Sequence, residues 1–549
     1  MSLKFIALSG TTGVTENFYV YEHQNDMIII DCGVGFPETD MYGADLVIPD
    51  FSYIKENVGK LKAILITHGH EDHFGALPFL LKEVKAPIYA TKLVAGFIED
   101  KFGDYSLDDY IINVFDPDKD VLNINSFRVY PFRITHSVPD SVGFCLETPQ
   151  GKVFHVADYK FDWTPVDGKT FDVRKVALLA SKDVLALASD SLGSTTPGYT
   201  GSEKEIEARI EKIVREAKKA IYFTTISSNI SRIQQAINVA KRQERKVVFI
   251  GRSIDKKAAI SQNLGFLYYE KGVVIRPEDA KEYAGEKLFY IISGSYGQVG
   301  SALYRLSLGE HEFLRIKKDD VVIFSSDPAP PGSKQNVDFV VDHLINLGAD
   351  VHYYDLQEDL HVSGHGSEED IKMLFALVRP KYFIPIGGTI RHMRSYKNLA
   401  ELFGAKNGDV LELMPGEIVE FQEGKAKKAG RVPVREVLVD GLEVGDVGKV
   451  VLRDRQILAK EGIAIVLVQI DLNKKRLLGT PEIISRGFVF EKVKRGLLIS
   501  AGKLLERELM KKKLLDRPVV KAVTRHTLEK YFAKKIGRHP MILPVVVEV

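Results

Sequence analysis

Residues His68-Gly69-His70-Glu71-Asp72-His73 set four potential metal ligands, three imidazoles and a carboxylate, on one turn. They follow the apolar run Ala63-Ile64-Leu65-Ile66, which reads as a buried strand. A second dense run, His361-Val362-Ser363-Gly364-His365, comes far downstream, and His136 and Asp158 lie between, each after strand-like sequence. Imidazole nitrogens and carboxylate oxygens suit zinc or manganese in a hydrolytic site. The i, i+2 spacing lets His68 and His70 converge on one ion from an extended turn, while Asp72 and His73 point to a second position. This is the outline of a dinuclear metal hydrolase.

The elements that must hold these residues are short strands ending on carboxylates. Ile28-Ile29-Ile30-Asp31 and Val153-Phe154-His155-Val156-Ala157-Asp158 both have this form. Strand ends are where a sheet can fix a side chain that loops leave accessible. Ser202 to Lys219 reads as an amphipathic helix with Ile206, Ile210, Ile213 and Val214 on one face, and Ser202 with Glu205 as a capping box. Residues 220–350 alternate strands with helices, which predicts a parallel doubly wound sheet. The polar stretch Glu423-Gly424-Lys425-Ala426-Lys427-Lys428 marks a break, and the last 110 or so residues read as a separate α/β unit. In that unit Leu497, Ala501, Leu504, Leu505 and Leu509 recur at helical spacing.

A chain of 549 residues should hold two or three domains. No apolar run is long enough for a membrane span. The N-terminal residues are too short and strand-like for a signal peptide, and Cys32 and Cys145 cannot make a disulfide framework, so a cytoplasmic protein is expected. The net charge of +1 hides an asymmetry. Residues 1–60 carry nine Asp/Glu against three Lys/Arg, and residues 491–549 carry fifteen Lys/Arg against six Asp/Glu. An acidic region suits cations. A basic tail suits a polyanion or an acidic neighbouring subunit, or is a solvated surface.

Several segments together, in order and spacing, resemble the metallo-β-lactamase superfamily, its β-CASP nuclease branch and, within that branch, ribonuclease J. They are Asp31 to Glu38, His68 to His73, His136 to Gly143, Asp158 to Asp162, Gly251-Arg252-Ser253, Ser293-Gly294-Ser295, His361 to His365 and Pro540 to Pro544. The resemblance implies a metallo-β-lactamase αββα sandwich in two parts, residues 1–200 and 351–425. A doubly wound β-CASP domain, 201–350, is inserted between them. A linker, 426–440, and a small C-terminal α/β domain, 441–549, would follow. It implies a metal-dependent ribonuclease of RNA maturation and decay, cutting 5′-to-3′ from a 5′-monophosphate with endonuclease action as well. Single-stranded RNA would be the substrate, and a homodimer or homotetramer, or a larger ribonuclease complex, the assembly.

The resemblance also implies residue roles. His68, His70 and His136 would hold a first ion and Asp72 and His73 a second, with Asp158 bridging both; the ions would be Zn²⁺ or Mn²⁺. Asp31 would orient a histidine. Asp72 or Asp190 would orient the attacking water and His365 would protonate the leaving oxygen. Ser228, Asn229, His361 and Ser363 would bind the terminal phosphate. Simpler readings stand beside some of these: Asp190 as a turn cap, His361 as a hydrogen-bonded core residue, Ser228 and Asn229 as helix caps.

The chain departs from the pattern at three places. Gly387, in Pro385-Ile386-Gly387-Gly388-Thr389-Ile390-Arg391-His392, stands where the second ion's histidine belongs, and Thr389 replaces an acidic residue. Leu192-Gly193 and Thr12-Gly13-Val14-Thr15 are the other two departures. A weakened second position is expected, in an active nuclease or, alternatively, in a weak or inactive paralogue that binds RNA or serves as a structural subunit.

Overall fold

The computed structural model describes all residues except 1, 39–40, 328–332, 356–359, 442, 445–448, 472–473, 475, 490 and 513–514. The chain divides into two compact units, Met1–Phe36 with Leu46–Val437, and Pro37–Asp45 with Leu438–Val549.

The first unit is built on two sheets that share a core. One has eight strands, in the order Lys425–Arg431, Glu417–Gln422, Leu3–Ser9, Phe18–His23, Asp26–Ile30, Leu61–Leu65, Ile88–Ala90 and Ile112–Val114. The other has six: Pro380–Ile386, Val184–Asp190, Gly151–Val156, Val142–Thr148, Phe127–Arg133 and Leu122–Ile124. Phe5, Tyr19, Ile28, Ile30 and Leu65 from one meet Val129, Phe144, Val153, Ala186 and Ile384 from the other in a single buried cluster. Burying apolar area of this kind, at roughly 25 cal/mol per Å², is the main force holding the layers together. On the far side of the six-stranded sheet, Leu374, Phe375, Tyr396 and Leu399 cover Phe154, Leu187 and Phe383. They come from the helices Glu368–Val378 and Ile390–Leu402.

Between Asp190 and Pro380 the chain makes a third sheet. Its five strands, Lys246–Ile250, Leu288–Ile292, Ile221–Thr224, Val321–Phe324 and Asp350–His352, are all parallel. Parallel strands need crossover helices, and the alternating pattern read from the sequence supplies them. The helix after Asp190 differs at its start. It spans Lys204–Glu216 with Glu203 at its N-cap, so the expected Ser202/Glu205 capping box is absent. Glu203 is drawn instead into a buried network, where Arg232 Nη2 lies 2.6 Å and Lys160 Nζ 3.5 Å from its carboxylate oxygens. Ser202 Oγ donates to Asp162 Oδ1 at 2.7 Å.

The second unit contains two long helices, Glu491–Met510 and Arg517–Ile536, against a sheet centred on Ile463–Asp471. Leu498, Ala501, Leu505 and Leu509 are buried there with Val466, Val468, Leu528 and Phe532. Of the residues at helical spacing, Ala501, Leu505 and Leu509 therefore lie in this unit's own core, Leu497 packs half-buried against it, and Leu504 is half-buried.

Candidate active site

The sheet pairings assemble the site at strand ends. Ile30 pairs with Leu65 in parallel, which brings Asp31 beside Thr67 and His68. Val156 pairs with Ser189, and Asp190 with Ile386, which brings Asp158, Asp190 and Gly387 to the same edge. Asp31 holds a left-handed φ of 60° and is fully buried, a strained placement of the kind that marks functional sites. Gly33 is needed where it is: a Cβ there would run into the Asp72 carbonyl.

At the first cluster His68 Nε2, His70 Nδ1 and His136 Nε2 converge. His70 Nδ1 lies 3.1 Å from each of the other two, and Asp158 Oδ2 is 3.5 Å from His68 and 3.8 Å from His136. The outer nitrogens are engaged elsewhere: His136 Nδ1 donates to the Gly364 carbonyl at 2.8 Å, and His68 Nδ1 meets Thr67 Oγ1 at 3.0 Å. Thr67 Oγ1 in turn donates to Asp31. That fixes the tautomers so that nitrogen lone pairs face one another. Burial drives the basicity of His68 and His70 well below the ordinary range and pushes His136 down to about 4. Neutral imidazoles with converging lone pairs fit a cation: two ligands on one tetrahedral ion sit roughly 3.4 Å apart.

The second cluster is His73, Asp72 and Asp158. His73 Nε2 lies 3.4 Å from Asp158 Oδ2 and 3.7 Å from Asp72 Oδ2. Its Nδ1 donates to Asp31 Oδ2 at 2.7 Å, so Asp31 orients the ring by contact. Burial opposes charge on His73, yet Asp158, Asp31 and Asp72 outweigh it and hold its pKa well above the usual value. Burial lifts Asp72 to about 6. Three carboxylates around one imidazole call for positive charge, so this position also fits a cation. Its fourth side is Gly387, which has no side chain to offer. His392 does not fill the gap, because its Nδ1 accepts from Thr389 N at 3.1 Å in the first turn of its helix.

A third group adjoins these. His365 Nδ1 donates to Asp190 Oδ2 at 2.7 Å, and His365 Nε2 faces Asp158 Oδ2 at 3.8 Å. Burial lowers the pKa of His365, but Asp190 and Asp158 more than reverse this and raise it to about 9. One ligand atom each from Asp158, Asp190 and His365 lies within 4.8 Å of the others.

The expected phosphate-binding residues are placed as follows. Asn229 caps the helix Ile230–Arg242 by accepting from Arg232 N at 3.0 Å, so the capping reading is realised for it. Ser228 is buried and His361 is half-buried, with burial and then Arg232 pushing the imidazole down to about 3. Ser363 Oγ accepts from His365 N at 3.0 Å, and its carbonyl takes Lys160 Nζ at 3.0 Å. Arg232 Nη1 reaches the Leu360 carbonyl at 3.3 Å. Arg232 thus ties Leu360 to the start of the Ile230–Arg242 helix, and Lys160 ties Ser363 to Gly201 and Glu203.

Comparison with known proteins agrees with this architecture. Residues 11–224 match the metallo-β-lactamase superfamily, 218–344 the ribonuclease J β-CASP domain, 354–410 the Zn-dependent metallo-hydrolase RNA specificity domain and 450–549 the ribonuclease J C-terminal domain. Ribonuclease J2 of Bacillus subtilis is 35% identical over 551 residues, which span 100% of this chain and 99% of that protein. The chain belongs to the ribonuclease J family. Ribonuclease J of Thermus thermophilus is also 35% identical, over 100% of this chain and 95% of its own length. A crystal structure of a protein of unknown function from Enterococcus faecalis shares the fold, with a TM-score of 0.54 and 15% identity over 76% of this chain and 100% of that one. As a ribonuclease J family member with a metallo-β-lactamase domain, the chain is a metal-dependent nuclease, and its RNA-specificity domain implies RNA as the substrate. Among the described residues, no helix is long and apolar enough to cross a membrane.

Some residues of this ribonuclease J site were not legible beforehand. Asn17 Nδ2 lies 2.9 Å from His73 Nε2, and Thr67 accepts from His68 while donating to Asp31. Thr67 could have been suspected, since it precedes His68 at a strand end. Nothing in the spacing points to Asn17, which comes from the loop before Phe18–His23. Glu203, Arg232 and Lys160, far apart in sequence, gave no local signal at all.

Proposed function

We propose that this ribonuclease J family chain hydrolyses phosphodiesters of single-stranded RNA at the His68, His70, His136, Asp158 cluster and its neighbours Asp72 and His73. The observation that carries the reading is the convergence of three lone-pair nitrogens on one face of Asp158, with the His365–Asp190 pair on another. Bound ions would lower the pKa of a water and offset charge on the scissile phosphate. Zn²⁺ suits the three-imidazole position, and Mn²⁺ is the other candidate. Asp72 and Asp190 orient the attacking water from the carboxylate side. His365, steered through Nδ1 by Asp190, presents Nε2 to the reacting groups and delivers a proton to the departing 3′ oxygen. Asp31 holds His73 in the tautomer that turns Nε2 inward.

The proposed substrate is RNA with a 5′-monophosphate, degraded 5′-to-3′, with internal cleavage as a second mode, in RNA maturation and decay in the cytoplasm. Ser228, Asn229, His361 and Ser363 form the end-binding pocket. A helix N-terminus beside hydroxyl, amide and imidazole donors favours a phosphate monoester there. The β-CASP segment 201–350, inserted between residues 1–200 and 351–425, closes the channel over the strand. The expected linker 426–440 is instead largely strand, Lys425–Arg431 and Val437–Asp440; the unit at 441–549 serves assembly into a dimer or tetramer.

The test compares one RNA carrying a 5′-monophosphate, a 5′-hydroxyl or a 5′-triphosphate, and the matching DNA, with Zn²⁺ and Mn²⁺ in turn. Stepwise products from the monophosphate alone are expected. Equal rates on all three RNA ends would remove the end pocket, and no metal-dependent cleavage of any of them would remove the enzyme reading.

A further inference from the structure

The two residues that space the ligands of the His68–His73 turn are themselves tightly placed. Glu71, between His70 and Asp72, gives its carboxylate to two ammonium groups: Lys101 Nζ lies 2.8 Å from Oε2 and Lys257 Nζ 3.7 Å from Oε1. Lys101 belongs to the helix Lys92–Asp104 of the metallo-β-lactamase part. Lys257 comes from the helix Arg252–Leu264 of the β-CASP segment. Lys257 is buried, and its ammonium sits 4.4 Å from the centre of the Phe97 ring. Phe97 in turn closes on the other spacer, since a Cβ on Gly69, between His68 and His70, would lie 2.8 Å from that ring. One lysine of the inserted segment therefore bears on both spacers, by an ion pair on Glu71 and through a ring on Gly69. The two helices meet closely around it: a Cβ on Gly96 would lie 2.8 Å from Leu264 and 2.9 Å from Ile260. At the partly exposed rim, Lys256 Nζ pairs with Asp100 at 3.1 Å and with Asp104 at 2.9 Å. Those rim pairs hold the same two helices without touching the ligand turn.

We propose that Lys257 is a positioning residue, through which the grip of the His68–His73 turn on a cation depends on the seating of the β-CASP segment against the metallo-β-lactamase part. The inference rests on the reading of this turn as part of the nuclease's metal centre. A buried ammonium needs its counter-charge, and taking away one partner of a buried pair is strongly unfavourable. The helix Arg252–Leu264 therefore seats fully only with Glu71 beneath Lys257. Glu71 lies in one short helix with Asp72 and His73 and directly follows His70, so fixing its carboxylate fixes ligands of both cation positions. Coupling of this kind is reciprocal: an ion held by the turn favours the seated segment by the same factor. Cleavage is then confined to the seated arrangement, in which the segment lies closed over the substrate. Direct charge repulsion predicts the opposite sign, because an ammonium near a bound cation weakens it and its removal should tighten binding.

The experiment reads zinc affinity and needs no RNA. Full-length protein is stripped of metal, checked for native circular dichroism and titrated with Zn²⁺ in competition with a chromophoric chelator. Lys257→Met keeps the length of the side chain and loses its charge, and should weaken zinc at least tenfold. Lys256→Ala removes the rim pairs and should leave zinc affinity within twofold. Unchanged or tighter zinc binding by Lys257→Met would overturn the proposal, and so would equal weakening by Lys256→Ala. If Lys257→Met does not fold, amide exchange in the unmutated chain decides. Zn²⁺ added to the stripped protein should then slow exchange in Arg252–Leu264 at least threefold more than in Ser333–Asn346, a helix of the same segment. Equal slowing of the two helices would overturn the coupling. An unmutated chain that binds no zinc removes the metal-centre reading and the proposal with it, whereas zinc that is bound but indifferent to Lys257 removes the proposal alone.

Discussion

The two cation positions share Asp158 and differ in nearly everything else. One is lined by three neutral imidazoles, with the outer nitrogens of His68 and His136 held by Thr67 and the Gly364 carbonyl. The other has a single imidazole, His73, among carboxylates, and a glycine on its open side. In the first, His68, His70 and the supporting Thr67 come from one short stretch after a strand, while His136 is held by the distant Gly364 carbonyl. In the second, the geometry depends on two parallel strands meeting at Asp190 and Gly387. Two positions that share one carboxylate can thus differ in the donors they offer, and part of that difference comes from residues far apart in sequence.

The largest effect should come from the imidazole side. His68→Ala with His70→Ala removes two of three nitrogens and should lower RNA cleavage by ~10³-fold or more, with loss of the tightly held ion. Asp72→Ala with His73→Ala should also abolish cleavage, but with one ion per chain still bound. Metal counts that fall equally in the two double variants would erase the distinction between the halves.

A second test loads both halves together. The segment 361–365 supplies the Gly364 carbonyl to His136 and the His365 ring to Asp190, and it is anchored by Lys160 and Arg232, which both meet Glu203. Burial works against the Glu203 carboxylate, but Arg232, Lys160 and His361 hold its pKa down to about 2. Since the folded value lies below the unfolded one, its stabilisation is complete above the ordinary carboxylate range and disappears as pH falls toward 2. The full amount is roughly 3 kcal/mol. Glu203→Gln should lose most of it at pH 7 and flatten the acid limb of metal-free unfolding by urea. Both metal positions should weaken alike. A selective loss at one position would show that the segment serves only that half.

Asp31 offers a narrower probe. It accepts from Thr67 N at 2.8 Å and from His73 Nδ1 at 2.7 Å. Asp31→Asn keeps the volume but removes the charge, and loss of such an orienting contact weakens metal binding by about 10- to 100-fold. The carboxylate-rich position should bear most of that loss, because His73 touches Asp31 directly while His68 is reached only through Thr67. Equal weakening by calorimetry would mean that Thr67 transmits as much as the direct contact.

What the sequence made legible is what lies close along the chain. His68 to His73 after Ala63–Ile66 announced two ligands of each position, because strand, turn and ligands are contiguous. The parallel sheet after residue 220 was readable from strand–helix alternation, and Ile206, Ile210, Ile213 and Val214 do face the core. The failures lie where distant segments decide. Ser202 looked like a capping residue, but Glu203 is pulled to Arg232 and the N-cap falls one residue later. The spacing of Leu497, Ala501, Leu504, Leu505 and Leu509 gave a helix but not what covers it; Val466, Val468, Leu528 and Phe532 bury Ala501, Leu505 and Leu509. That Asp190 borders Gly387 is a consequence of strand register, which no local pattern encodes.

The smallest predicted effect isolates that register. Gly387 has a φ of +67°, and its N–H donates to the Gly10 carbonyl at 2.8 Å. A side chain there meets backbone strain before it meets a neighbour, since the nearest atom, Asp190 Oδ1, would be 3.2 Å from the new Cβ. Gly387→Ala should therefore cost about 1 kcal/mol of stability, in line with the left-handed penalty for an L-residue. Gly387→Asn should cost less, because asparagine tolerates that region. Both should disturb the carboxylate-rich position and leave the three-imidazole position untouched. An opposing term exists: alanine restricts the unfolded chain and stabilises wherever its backbone fits, by up to about 1 kcal/mol. Urea unfolding of the metal-free variants separates the two. A more stable Gly387→Ala would mean that the backbone at 387 can leave the left-handed region at no cost. The carboxylate half would then be open by lack of a side chain alone, and restoring histidine there would rebuild it without strain.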